Sequence, residues 1–143
     1  MSRPRVYKPL ILIVSLFVIV IAGWKGIEAT SADSFCTTCH IMKPMADSAG
    51  HTIHRLPEVS CKDCHLPHDN VAKMLGFKAY SGLKDLAINA VDPPELVRAS
   101  AATQSIVQSN CIRCHRTMVE NINTENQSCF DCHRSVPHGN SGL

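Results

Sequence analysis

Cys36-Thr37-Thr38-Cys39-His40, Cys61-Lys62-Asp63-Cys64-His65, Cys111-Ile112-Arg113-Cys114-His115 and Cys129-Phe130-Asp131-Cys132-His133 decide how this chain folds. Each has the Cys-x-x-Cys-His spacing of a c-type haem attachment site. Two thiols add across the vinyl groups of one porphyrin, and two intervening residues let both sulfurs reach that edge. The histidine that follows lies under the ring, where it can ligate the iron. The four copies consume all 8 cysteines. Rival readings fail on detail. Zinc accepts paired Cys-x-x-Cys units but does not require a histidine after every second cysteine. A thioredoxin-like site needs a βαβ setting, and no strand pattern is present. A disulfide framework would need spare cysteines.

A chain of 143 residues shared among four haems has little room for a conventional side-chain core. The haems are expected to be the core, wrapped by a mainly α polypeptide with little or no β structure. Their thioether bonds would staple a domain too small to be secure on side chains alone. The formal charge is +2, but ionised propionates on four haems would carry it to about −6. That balance suits basic protein surfaces and excludes nucleic acid as a partner. Covalent haem also implies assembly outside the cytoplasmic membrane.

The N-terminus agrees with that compartment. Pro9 to Trp24 is free of charge and rich in Leu, Ile and Val; Arg3, Arg5 and Lys8 precede it, and Lys25 and Glu28 follow. The expectation is a cytoplasmic segment over 1–8, a transmembrane helix over 9–28 and a tetrahaem domain over 29–143 on the periplasmic or extracellular face. Flanking lysines can snorkel to the surface, and Trp24 sits where an interfacial aromatic belongs. The alternative is a signal peptide cleaved near Ala29-Thr30-Ser31-Ala32. The apolar run is longer than a signal core, which favours the anchor.

Beyond the anchor the motifs fall into two haem pairs, 36–68 and 111–138. Each pair closes alike, on Cys64-His65-Leu66-Pro67-His68 and on Cys132-His133-Arg134-Ser135-Val136-Pro137-His138, which reads as a diverged internal duplication. Between them the pattern predicts an amphipathic helix over Val71 to Val91, with Lys73, Lys78 and Lys84 able to meet a lipid surface. Asp92-Pro93-Pro94-Glu95 breaks it, and a second helix is expected from Glu95 to about Asn110. A polar loop covers 123–127.

Four irons offer eight axial positions, and the chain has 8 histidines. A one-to-one assignment is geometrically unsafe. His65 and His68, or His133 and His138, are too close in sequence to reach both faces of one ring. If His138 is a ligand, it serves a different haem from His133. Met42 and His40 compete for one side of the first ring; methionine is a known iron ligand, though a lone one more often packs. Of His51 and His54, three residues apart, one is expected as a distal ligand.

With these features assembled, the chain resembles the NapC/NirT/NrfH family of membrane-anchored tetrahaem quinol dehydrogenases. It is nearest to the branch that forms the small subunit of ammonia-forming nitrite reductase. The resemblance covers nearly the whole chain. It rests on Cys39-His40-Ile41-Met42-Lys43-Pro44, Cys64-His65-Leu66-Pro67, Lys78-Ala79 with Gly82, Asn110-Cys111-Ile112 and Ser135-Val136-Pro137-His138-Gly139. It implies that the first haem takes Met42 in place of His40, with Asp85 shielding its far side. The second would take His65, with a lysine supplied by the catalytic partner. The third would take His115 with His138, and the fourth His133 with His54.

The same resemblance implies the activity. A quinol from the membrane pool docks near the first haem, Lys78 orients one of its oxygens, and Asp85 accepts a proton, with Tyr80 a weaker option. Lys78 and Asp85, seven residues apart, share a helix face. Electrons then pass to a soluble multihaem reductase, the pentahaem nitrite reductase being the first candidate, and a homo-oligomer within the complex is compatible with this. On the residues alone, Lys78 and Asp85 are an ordinary solvated helix pair. Two other functions remain open: a tethered relay cytochrome with no quinol site, and a terminal reductase with an open iron. Ser81, where some relatives carry an acidic residue, departs from the family pattern.

Overall fold

The computed structural model describes residues 7–55, 59–122, 124–136 and 138. Arg3 and Arg5, Asn123, Pro137 and Gly139, on which several expectations fall, lie outside the described residues. Among the described residues there is no strand, and the expectation of a mainly α fold holds.

Helix α1 spans Tyr7–Ala29 and is apolar all round through its middle, with charge only at Lys8, Lys25 and Glu28 near its ends. At 1.5 Å per residue its 23 residues reach about 35 Å, enough for a hydrocarbon layer of about 30 Å. Its side chains meet no protein: Leu12, Ile19 and Trp24 are among the most exposed apolar residues of the chain. The last four carbonyls of a helix have no partner within it, and here each finds one nearby. Thr30 N–H and Oγ1 donate to Gly26 O, Ser31 Oγ to Ile27 O at 2.6 Å, Ser31 N–H to Glu28 O and Ala32 N–H to Ala29 O. Lys25 and Glu28 pair at 2.8 Å on the exposed side.

After that cap come α2 (Asp33–Cys36), a 3-10 turn (His40–Met42), α3 (Lys43–Gly50) and a second 3-10 turn (Ile53–Arg55). Pro44 opens α3 where its absent N–H costs nothing. The short α4 (Cys61–His65) begins at a capping box, in which Ser60 N–H donates to Asp63 Oδ2 at 2.9 Å. Helix α5 runs Val71–Val91, the bounds expected from its pattern, and Asn70 caps it by accepting from Ala72 and Lys73 N–H. Gly76 and Gly82 interrupt neither turn nor ladder.

Helix α6 differs from expectation. It spans Ala101–Val119, not 95–110. Ser100 caps it, its Oγ accepting from Thr103 N–H at 3.2 Å, and the stretch from Glu95 to Ala99 stays irregular. The proline pair therefore ends α5 without starting α6, whose cap is Ser100. The helix then continues through the third motif, and only His115 leaves helical geometry. Helix α7 (Cys129–Cys132) opens on a second capping box, Ser128 N–H donating to Asp131 Oδ2 at 3.0 Å.

Burial is confined to one place. Among the described residues only Pro67, Val107 and Asn110 are buried, where the chain leaving α4 meets α6. Asn110 holds that junction. Its Nδ2 donates to the carbonyls of Cys64 (2.8 Å) and Leu66 (2.9 Å), and its Oδ1 accepts from Arg113. Removing a buried donor leaves both carbonyls unmet, at about 1–3 kcal/mol. Asn110→Ala is expected to lower the thermal midpoint of the detergent-purified protein by several degrees. Asn110→Asp, which fills the space but replaces the donor with an acceptor, is expected to be no better. Thermal melts followed by far-ultraviolet circular dichroism decide it, and an unchanged midpoint in both variants contradicts the role.

Candidate haem-attachment cluster and membrane-proximal site

A Cys-x-x-Cys-His segment wound as a helical turn puts both sulfurs and the histidine on one side, because positions i, i+3 and i+4 share a face. Three of the four motifs wind their cysteines on such a turn: Cys61–His65 is α4, which includes its histidine, Cys129–Cys132 is α7, and Cys111 to Cys114 lies within α6. The first ends α2 at Cys36 and resumes in the 3-10 turn at His40. With about three residues per turn, His40 and Met42 at the two ends of that turn point in different directions. One of them, not both, can face a given ring.

The motifs are neighbours in space. The thiols of Cys36 and Cys61 hydrogen-bond, which pulls Cys36 down to about 7 and pushes Cys61 up. Burial, with Cys129 alongside, pushes Cys111 up to about 11, and burial raises Cys64 next to Cys114. Side chains stitch each motif to the next. Asp33 Oδ1 accepts from Cys61 N–H at 2.9 Å, joining first to second. Asn110, with Arg113 Nη2 donating to Asp63 O at 3.1 Å, joins second to third. Gln108 Oε1 accepts from Cys129 N–H at 2.9 Å and its Nε2 donates to Gln127 O, joining third to fourth.

The histidines gather in two places. His54 and His115 stand edge to face with centroids 6.0 Å apart, and His65 and His138 are tilted at 5.8 Å. These neighbours differ from the couples the resemblance implies, His54 with His133 and His115 with His138. His138 Nδ1 donates to Met45 O at 3.0 Å, which ties it to α3 on the side of His65. Burial, then His138, holds His65 below the ordinary imidazole range and favours its neutral form. His51 Nδ1 donates to Asp47 O at 2.7 Å, and His68 Nε2 to Lys62 O at 3.3 Å. His133 is exposed at the end of α7.

These observations fit haem. His54 Nδ1 is buried without a hydrogen-bond partner among the described residues. An orphaned polar nitrogen is costly in an apolar setting; it is at ease beside a porphyrin or its iron. Soft thiols, imidazoles and a thioether make up the donor set that c-type haem uses.

A second constellation lies where α1 ends. Lys78 Nζ donates to Ile27 O at 3.0 Å, 51 residues away in sequence, and to Ser31 Oγ. A cation against the last turn of a helix is favoured by the helix dipole, and burial holds this ammonium below the ordinary lysine range. Asp85 lies on the Lys78 side of α5 and is exposed, its backbone carbonyl accepting from Asn89. The opposite side of α5 presents Tyr80 and Leu83, with Leu86 on its flank, all exposed. Ser31, Asp33, Gln108 and Asn110 were not legible as site residues. Ser-Cys-x-Asp-Cys in the second and fourth motifs is the local signal of the two capping boxes.

Comparison with known proteins follows the same lines. The chain is 40% identical over 116 residues to the cytochrome c nitrite reductase subunit NrfH of Nitratidesulfovibrio vulgaris, spanning 79% of this chain and 71% of that one. It is 31% identical to the cytochrome c-type protein NrfH of Wolinella succinogenes, spanning 96% and 88%. Its fold matches a chain in the crystal structure of the cytochrome c nitrite reductase NrfHA complex bound to the HQNO inhibitor. That match has a TM-score of 0.78 at 34% identity and covers 91% and 90% of the two chains. The family described as NapC/NirT cytochrome c, N-terminal region, matches residues 3–142. The chain belongs to the NapC/NirT cytochrome c family, with haem c as its covalent cofactor.

Proposed function

We propose that this protein is a single-pass, membrane-anchored tetrahaem cytochrome that oxidises quinol and delivers the electrons to a periplasmic nitrite reductase. The observation that carries this reading is Lys78, held by Ile27 O and Ser31 Oγ at the end of α1. That contact supports the reading because it sets a cation at the end of the anchor helix, where a lipid-soluble quinol would arrive. The similarity to NrfH subunits and to a chain of the NrfHA complex supports both the membrane donor and the nitrite reductase partner. In this reading Met1 lies on the cytoplasmic side and the haem domain outside.

Bound haem c supplies one-electron acceptor sites in series, which suit a two-electron donor and a distant acceptor. The cysteines of the four motifs would attach one haem each. Met42, with His40 as the alternative, His65, His115 and His133 would hold the irons from the attachment side, and His54 and His138 from the other. His54 lies against His115, and His138 beside His65.

The chain's own residues divide the remaining work. The exposed apolar side of α5 rests on the lipid surface, with Lys73 and Lys84 at the headgroups. Lys78 donates a hydrogen bond to a quinol oxygen, exchanging it for Ser31. Burial disfavours its charged form, so it gains more from a partner there than a solvated lysine would. Asp85, open to solvent, accepts the released proton and returns it to water.

Three outcomes test this. Pyridine haemochrome analysis of the purified chain is expected to give four haems, and Cys129→Ser with Cys132→Ser to give three. Anaerobic mixing with a menaquinol analogue is expected to reduce the haems rapidly in the absence of a partner, with inhibition by HQNO. Asp85→Ala and Lys78→Ala are each expected to slow that reduction tenfold or more, about 1.4 kcal/mol of barrier, with haem content unchanged. A wild-type chain that dithionite reduces fully and quinol does not is a relay cytochrome instead.

A further inference from the structure

Two hydrogen bonds described above are the same bond made twice. Asp33 lies three residues before Cys36, the first cysteine of the first motif; Gln108 lies three residues before Cys111, the first cysteine of the third. Each reaches the following motif and accepts the backbone N–H of its first cysteine, Cys61 or Cys129, at 2.9 Å in both cases. That N–H opens α4 in one pair and α7 in the other, so it is an orphan donor of a short helix. The surroundings repeat as well. Ser60 and Ser128 precede the two cysteines, and Asp63 and Asp131 complete the capping boxes. The side chains have diverged to a carboxylate and an amide, so the repeat is visible only in where their oxygens go. Neither residue belongs to a motif.

We propose that Asp33 and Gln108 are equivalent positioning residues, each clasping the attachment helix of the next motif and so fixing how the two haems of its pair face one another. The reading rests on each motif carrying a haem. A porphyrin bonded through two sulfurs follows the backbone that bears them. Once the internal cap of α4 or α7 is formed, the bond at the first cysteine is what registers that helix against its neighbour. Both clasping side chains are partly buried, which shields the bonds from competition by water. Gln108 adds a second hold through Gln127 O at 3.1 Å, which a carboxylate could not make.

Circular dichroism in the Soret band tests the proposal, because coupling between neighbouring porphyrins reports their mutual orientation and a purely structural contribution to stability leaves it alone. Asp33→Ala and Gln108→Ala in the full-length, detergent-purified holoprotein are each expected to lose the part of the wild-type Soret couplet that its own haem pair contributes. Asp33→Asn and Gln108→Glu keep an oxygen acceptor and are expected to retain it. A wild-type couplet in either alanine variant at full haem content overturns the proposal. If an alanine variant attaches fewer haems, its conservative partner decides: wild-type content and couplet there support the clasp, and their loss overturns it. Fewer than four haems in the wild type defeats the tetrahaem reading itself, whereas four haems with an unmoved couplet defeats the clasp alone.

Discussion

Among the described residues the polypeptide buries almost nothing of itself, and the attachment segments answer to that. Pro67, Val107 and Asn110 are the buried residues among those described. Hydrophobic burial is the main favourable term in folding, so a domain with so little of it must obtain it from a group that is not protein. Covalent haem supplies that apolar mass in a cytochrome c and fixes it to the chain at each motif. Two of the attachment segments are consequently short and locally capped. Helices of four or five residues, such as α4 and α7, cannot persist on their own. They exist to present a pair of sulfurs on one side.

Sequence reasoning reached the parts that local physics controls. The motif spacing, the apolar run of α1 and the periodicity of α5 each depend on residues close in sequence, and α5 has the bounds its pattern implied. The start of α6 did not follow from the prolines, because a chain-breaking signal says where a helix ends and not where the next cap lies. The histidine neighbours were less legible still. Which imidazole meets which depends on how α3, the 3-10 turns and α6 lie against one another, and no local pattern encodes that. The clasps of Asp33 and Gln108 were hidden for a further reason: the duplicated role is carried by unlike side chains, so similarity of letters misses it.

The ends of α1 and the middle of α5 form one unit. Lys78 reaches the carbonyl of Ile27 and the hydroxyl of Ser31, and the same hydroxyl also caps the helix. A group that binds at Lys78 therefore acts on the end of the anchor as well as on the first motif beside it. Under the proposed function, the cation offered to a lipid-borne donor is held by the backbone at the end of the anchor.

The passage from α1 to α2 has one more consequence. Only Thr30, Ser31 and Ala32 separate the two helices, a reach of at most about 10 Å if fully drawn out, and the hydrogen bonds at the end of α1 leave that length no slack. The domain is mounted, not tethered. It cannot sweep the space above the bilayer in search of an acceptor, as a cytochrome on a flexible leash can. A docking partner must meet it at one height and one tilt. Encounters between them are then governed by the partner's own approach along the membrane plane, and lengthening those three residues would change the geometry of every such meeting without altering a single haem.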